Sequence, residues 1–545
     1  MIQNFQTSNT LHYSIFLLAT STKKLETESN MSSIASYYNG KSVLVTGATG
    51  FMGKVLVEKL LYCSPDVKSI YILVRPKSGQ STQERVQDMV KCKVFDRVRK
   101  VWPNFYEKIK PINAELTQPN LAIAPEDAQE LLSEVNIVFH CAATIRFDEP
   151  LRQALLLNVM GTKQLLKLAH QIQNLEAFIH LSTAYAYCNR SYIDEVIYPP
   201  PMDPQKLFDL VEGMDESLIQ EITPKLIGDW PNTYTFTKSL TEYVIQQEKG
   251  NLNTAIIRPS IVCCSWQEPF PGWIDQFNGP CIFLIATGKG IARIVKCNKD
   301  AVADIIPVDI AINLILAAGW YTAVQRPKSL LVYNCITSNI SPFSWGEIRD
   351  VAMNILERIP LEKAFRIPNA CMTQSDFTYE YWRTVSHKFP AFLYDLYLRL
   401  TGRKPRMMKM YNRLHEYMML FDFFSSRSWE WKSDNVNMLL NHLSPKDKKL
   451  FLFDVRQLNW SAYIEYFCLG AKMHVLNEDL AGIPAAKEHL RKLRNIQYVI
   501  NTTLIVLIWR VFIARSQMAQ NMWYFVVQLC YKFLSYFRVS STLRH

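Results

Sequence analysis

The spacing of apolar positions changes character along this chain. From Lys41 onward, short unbroken apolar runs alternate with stretches whose apolar residues recur every three or four positions. Ser42–Thr46 (SVLVT) and Ser69–Val74 (SIYILV) are runs of the first kind, as are residues 136–140, 177–181 and 254–257. A continuous rather than alternating run predicts a strand covered on both faces. Residues 54–61 and 151–171 carry the helical stripe, so strand and helix alternate, which predicts a doubly wound parallel sheet. After about Pro342 glycine becomes rare, and Leu, Met and aromatic residues fall at helical spacing, as in 391–400 and 407–424. This predicts a mainly helical second domain, and two apolar stretches follow it at 496–514 and 522–537. The expected divisions are an extension at 1–38, a doubly wound α/β domain at 39–345, a helical domain at 355–475 and a hydrophobic tail at 487–545.

Length and composition agree with this layout. A chain of 545 residues, half of them hydrophobic, exceeds one ordinary domain and can bury a large core. The net charge of +11 is uneven, because residues 487–545 hold nine Lys or Arg against Glu488 alone. Basic residues set among apolar ones suit an anionic membrane surface and argue against nucleic acid. The twelve cysteines form no C-x-x-C pair and no zinc spacing, so reduced thiols and no metal are expected. The apolar segment 11–19 lacks a basic lead and is too short for a signal peptide. Met31 therefore reads as a usable start and the extension as dispensable.

The chemistry begins at TGATGFMG, Thr46 to Gly53, between a strand and a helix. Gly47 permits a tight turn, Gly50 lets backbone N–H groups reach a pyrophosphate, and Gly53 allows close helix packing. With Thr46, Thr49, Phe51 and Met52 these residues form the expected cofactor loop, its phosphates at a helix N-terminus. The second strand ends at Arg75, followed by Lys77, where an NAD-binding protein usually carries an acid for the ribose. An Arg there suits a 2′-phosphate, which favours NADPH. Ala142, in the small-residue stretch CAAT (141–144), follows the fourth strand and is expected beneath the cofactor. Glu115 follows the third.

Tyr234 and Lys238 (YTFTK) lie four apart, on one helix face. A carbonyl carbon that accepts hydride leaves a negative oxygen in need of a proton, which Tyr234 can donate. Lys238, also counted among the cofactor contacts, would lower the phenol's pKa. Thr183, with Ser182 as second choice, would polarise the carbonyl oxygen. Asn158 (LNVMGT) is expected under the cofactor, or as a side chain tying down backbone.

The spacing G-x-x-G-x-x-G, followed by the S-T strand end and Y-x-x-x-K, resembles the extended short-chain dehydrogenase/reductase group. Further blocks resemble the alcohol-forming fatty acyl-CoA reductases of insects and animals. These are IRPSIV (257–262), EPFPGWID (268–275), NGP (278–280), DIIPVD (304–309), GRKP (402–405), FFSSRSWEW (423–431) and Trp460 with Tyr463. Ala114–Glu115 departs from the Gly-Asp pair usual in that family. The resemblance spans about Lys41 to Pro484. It implies a Rossmann-like sheet, a helical domain lining an acyl channel, and reduction of long-chain fatty acyl-CoA by two NADPH through an aldehyde. A steroid-type reductase or a silent nucleotide-binding scaffold are the rival readings. The tail, interrupted by Arg510 and Lys532, predicts a hairpin or two interfacial helices on the cytosolic face of an intracellular membrane, or else helices docked on the protein. The endoplasmic reticulum is favoured over the peroxisome. The stretch 390–400 is the next candidate for membrane contact.

Overall fold

The computed structural model describes residues 33–77, 79–277 and 279–542. Met31, the apolar segment 11–19 and Asn278 of the NGP block lie outside them.

Seven parallel strands form the central sheet: β1 (Ser42–Thr46), β2 (Ser69–Val74), β3 (Ile109–Asn113), β4 (Ile137–His140), β5 (Ala177–Leu181), β6 (Thr254–Pro259) and β7 (Leu331–Cys335). Their spatial order is β7-β6-β5-β4-β1-β2-β3. Alternate side chains of each strand enter opposite layers. Val43 and Val45 face the layer containing α1 (Ser33–Tyr38), α2 (Phe51–Cys63) and α6 (Val308–Gln325). Leu44 faces the layer containing α4 (Gly161–Gln171) and α5 (Thr233–Glu248). The order reverses between β1 and β4, and ligands of such sheets bind at the carboxyl ends of the strands at that switch.

Three findings refine the sequence reading. The core begins earlier than residue 39. Ile34 and Tyr38 are fully buried, and the Tyr38 hydroxyl donates to Leu316 O (2.7 Å). The helical run 151–171 contains a π turn, Leu155–Met160, whose Asn158 carbonyl accepts hydrogen bonds from both Thr162 (2.6 Å) and Thr241 (3.0 Å). The region beyond β7 is helical as predicted, with α7 (Trp345–Arg358), α8 (Phe389–Leu400), α9 (Met407–Ser425) and α10 (Trp460–Gly470). It is laid across the first layer, and Tyr463 reaches back to donate to Cys264 O (2.9 Å).

Among the described residues one helix is long and apolar enough to cross a membrane, and it is α6, which is core. The tail is two long helices, α11 (Ile483–Arg515) and α12 (Gln517–Thr542), which touch through Trp509 and Trp523. Among the described residues the root of α11 docks on the body. Leu490 is buried there, His489 bonds Ala364 O (2.8 Å) and Arg494 pairs with Glu357 (2.8 Å). From Ile496 the described apolar side chains are exposed.

Candidate active site

The glycine turn is built by steric necessity. Gly47 has φ +72°, and a Cβ there would lie 2.8 Å from Ala142 N, so β1 and β4 can end side by side only with glycine. A Cβ on Gly53 would lie 2.2 Å from Gly47 O, which forbids any side chain at that first helical turn. Gly50 is the N-cap of α2 and no side chain caps the helix, so its first amides remain available to an anion. Thr49, Gly50 and Met52 are at least partly exposed, whereas the Phe51 ring stacks on Trp273 (5.1 Å) inside the core.

Thr46 and Ala142 serve each other. The Ala142 N–H donates to Thr46 Oγ1 (3.0 Å), which lies 2.8 Å from His140 Nδ1, and His140 Nε2 lies 2.8 Å from Thr162 Oγ1. Thr162 spends its proton on Asn158 O, so the chain closes with a neutral His140 protonated on Nε2. Burial, together with the nearby Lys238 charge, brings the His140 pKa down to about 3.

Arg75 and Lys77 are exposed beside this turn, with Arg75 Nε 3.7 Å from Glu115 Oε2. A third cation joins them that sequence reasoning missed. Arg85, on α3 (Thr82–Lys91), reaches Thr49 Oγ1 (3.2 Å) and the carbonyl of Arg75. Its only sequence signal was the stripe of α3, where an Arg reads as solvated surface.

Tyr234 and Lys238 stand on the first two turns of α5, which Asn232 caps by accepting from Thr235 N (2.9 Å). Burial raises the Tyr234 pKa to about 12, while its hydrogen bond with Thr183 pulls the other way. Lys238 Nζ donates to Leu181 O (2.7 Å) at the end of β5, and burial brings its pKa down to about 8 against the opposing pull of Glu242. Thr183 is therefore the hydroxyl beside the phenol. Ser182 instead donates to Glu242 Oε1 (2.5 Å). Glu242 is fully buried with Arg258, whose Nη2 lies 2.6 Å from Glu242 Oε2 and whose other donors reach Asp194 O and Val196 O. Asn158 takes the backbone N–H of Thr144 (2.9 Å) and donates to Thr237 (3.0 Å), which ties the CAAT loop to α5.

Above Tyr234 lies an aromatic lid. Phe147 stacks on the phenol (5.8 Å, 19°) and also meets Phe421 and Phe424 of α9 at 5.1 and 5.3 Å. Those two residues wall a cavity of about 100 Å³ that continues past Phe283, Met418 and Met353 to Ala370 and Met372. Its lining is almost wholly apolar. A buried phenol, a buried lysine one helical turn on and a threonine hydroxyl thus sit between a glycine turn and an apolar cleft. That set can protonate the oxygen of a carbonyl receiving hydride. No group of three metal-ligating side chains occurs among the described residues.

Two family profiles described as "Male sterility protein" match the chain, one at residues 45–315 and one at 386–478. Fatty acyl-CoA reductase 1 of Homo sapiens is 60% identical over 515 residues, covering 94% of this chain and all of that protein. Fatty acyl-CoA reductase 2 of Mus musculus is 59% identical over 514 residues, with the same coverage. Among solved structures, the reductase domain of a nonribosomal peptide synthetase from Mycobacterium tuberculosis superposes with a TM-score of 0.56 at 18% identity, covering 82% of this chain and 95% of that one. At that identity the likeness establishes the fold.

Proposed function

The chain belongs to the fatty acyl-CoA reductase family, and we propose from its geometry that it reduces long-chain fatty acyl-CoA to the fatty alcohol with two NADPH, releasing CoA. The observation that carries this is the Tyr234–Thr183–Lys238 set closed over by Phe147, whose partners Phe421 and Phe424 open the apolar cavity.

Gly47, Gly50 and Gly53 with the uncapped start of α2 would hold the cofactor's pyrophosphate, and Arg75, Lys77 and Arg85 its 2′-phosphate. When bound, the cofactor supplies hydride to the thioester carbonyl carbon, and a second molecule supplies it to the aldehyde. Tyr234 gives its proton to the carbonyl oxygen, which Thr183 orients. Lys238, as ammonium, stabilises the phenolate left behind. The hemithioacetal hydroxyl then returns a proton to Tyr234 while the C–S bond breaks, and CoA leaves as the thiolate, which takes a proton from solvent. In the second round the aldehyde oxygen takes Tyr234's proton and becomes the alcohol. Each product molecule therefore consumes two hydrides and two protons. The fatty chain would run under Phe147 into the cavity. Met353, Met372 and Met418 line the cavity, and such flexible side chains can shift to admit a long chain.

The tail helices would insert into the cytosolic leaflet of an intracellular membrane. Incubation with NADPH and a mixture of acyl-CoAs is the test, with alcohols, free CoA and NADPH oxidation all counted. Two NADPH per alcohol are expected. Cofactor binding without thiol release would leave only a scaffold, and turnover of a steroid ketone but no acyl-CoA would move the enzyme to the rival class.

A further inference from the structure

Apolar residues on a surface helix normally turn inward, and α8 does the opposite. Of its twelve residues, only Ala391, Asp395 and Leu398 are buried. Phe389, Phe392, Tyr397 and Leu400 face solvent, the last 79% exposed. The helical run before it continues the pattern with Phe377, 82% exposed, and Trp382. Exposed apolar surface of this extent marks an interaction face.

Its charge says what it meets. Residues 377–409 contain seven Lys or Arg against two acids, Glu380, which pairs with Arg383, and Asp395. Asp395 is withdrawn from the surface, because its carboxylate accepts the backbone N–H groups of Arg406, Met407 and Met408, each at 2.9 Å, and so caps α9. Arg399, Arg403, Lys404, Arg406 and Lys409 are left exposed beside the aromatic residues. A second copy on this face would set seven cations against seven. Aromatic side chains rimmed by unneutralised cations fit the headgroup level of an anionic bilayer.

Position supports the same occupant. Ala364 O holds His489 at the root of α11, and the next residues but one carry Arg366, whose guanidinium donates to Ser386 O (2.7 Å) just before α8. Ala370 and Met372, in the wall of the cavity, lead directly into the helix that bears Phe377. We propose that the face from Phe377 to Lys409 docks on an anionic lipid bilayer beside the tail, presenting that wall of the cavity to the lipid. The inference shares with the tail reading only the membrane itself.

The full chain is labelled with a polarity-sensitive fluorophore at Tyr394→Cys, after Cys371 and Cys530 are replaced by Ser. It is then added to vesicles of phosphatidylcholine with or without phosphatidylserine. Labels at Val506→Cys and Lys206→Cys report the tail and the reductase body. Quenching of the Tyr394→Cys label by spin-labelled acyl chains is expected with the acidic lipid. It should fall at least about tenfold in neutral vesicles, in high salt, or in the variant Arg399→Glu/Arg403→Glu/Lys404→Glu. Phe392→Ser should weaken it without changing the salt response. If Val506→Cys is quenched while Tyr394→Cys emits like the Lys206→Cys control, the docking face is wrong and the tail reading stands. If Tyr394→Cys is shielded but never quenched by lipid, a protein covers this face and the inference is overturned. Wild-type lipid and salt series decide the matter even if the charge variant fails to fold.

Discussion

Glu242→Gln removes the charge on which two neighbours depend. Glu242 and Arg258 are both fully buried, and the carboxylate accepts from Arg258 Nε, Arg258 Nη2 and Ser182. A neutral amide leaves a buried guanidinium without its counter-charge, a change that costs about 3–5 kcal/mol. The second consequence is electrostatic. Burial already brings Lys238 down to about 8, and Glu242 is the largest influence holding it up. Lys238 is the ammonium below that pH and the neutral amine above it, so activity should fall as pH rises through about 8. Without Glu242 the alkaline limb should move to lower pH. Detergent-solubilised protein would be unfolded in urea, followed by intrinsic fluorescence, and kcat/KM measured across pH 6 to about 10. Glu242→Leu/Arg258→Met should recover most of the lost stability, since an apolar pair of similar volume often replaces a buried ion pair at little cost. The double variant should nevertheless keep the shifted limb. A Glu242→Gln protein within about 0.5 kcal/mol of wild type, or one with an unmoved alkaline limb, would refute the reasoning.

Tyr234→Phe should keep cofactor fluorescence quenching and lose about 10²–10⁴-fold in turnover; retention of more than about a tenth of the activity would assign the proton to another group. Arg75→Asp should raise the KM for NADPH far more than it changes kcat, and Arg85→Ala should do the same more weakly, with NADH kinetics nearly unaffected in both. Equal losses with the two cofactors would remove these residues from 2′-phosphate recognition. Ending the chain after Arg494, beyond the docked root of α11, should convert detergent-requiring attachment into binding that salt releases. A truncated protein that still needs detergent would place the anchor elsewhere.

The sheet was legible because both-face burial favours short, mostly apolar runs, and Ser69–Val74 and Ala177–Leu181 appear with the expected limits. The glycine turn was legible for a similar reason, since backbone contacts near 2 Å tolerate no other residue at Gly53. Roles that depend on direction were not legible. Ser182 and Thr183 are adjacent on a strand end, so they point to opposite sides, and only coordinates show that Thr183 meets Tyr234. Glu242 sits four residues after Lys238, a spacing that usually means a solvated helix pair. The burial of Arg258 on the neighbouring strand turns it into a core charge. In the stripe 391–400 periodicity reveals a helix with an apolar face, which makes the stretch a candidate for membrane contact without saying what that face meets.

The linkage between body and tail has a mechanical consequence. α11 runs for 33 residues without a break, and its last proline is Pro484, in the first turn. At 1.5 Å per residue this is a rod of about 50 Å, clamped at its base by Leu490, His489 and Arg494. A tether of loose chain would let the catalytic body tumble over the membrane. With the tail inserted as proposed, a stiff bracket would fix its attitude, so the body would patrol the surface while keeping one side turned toward it. Encounter with substrate dissolved in that surface would then become a search in two dimensions, made by a molecule already facing the right way.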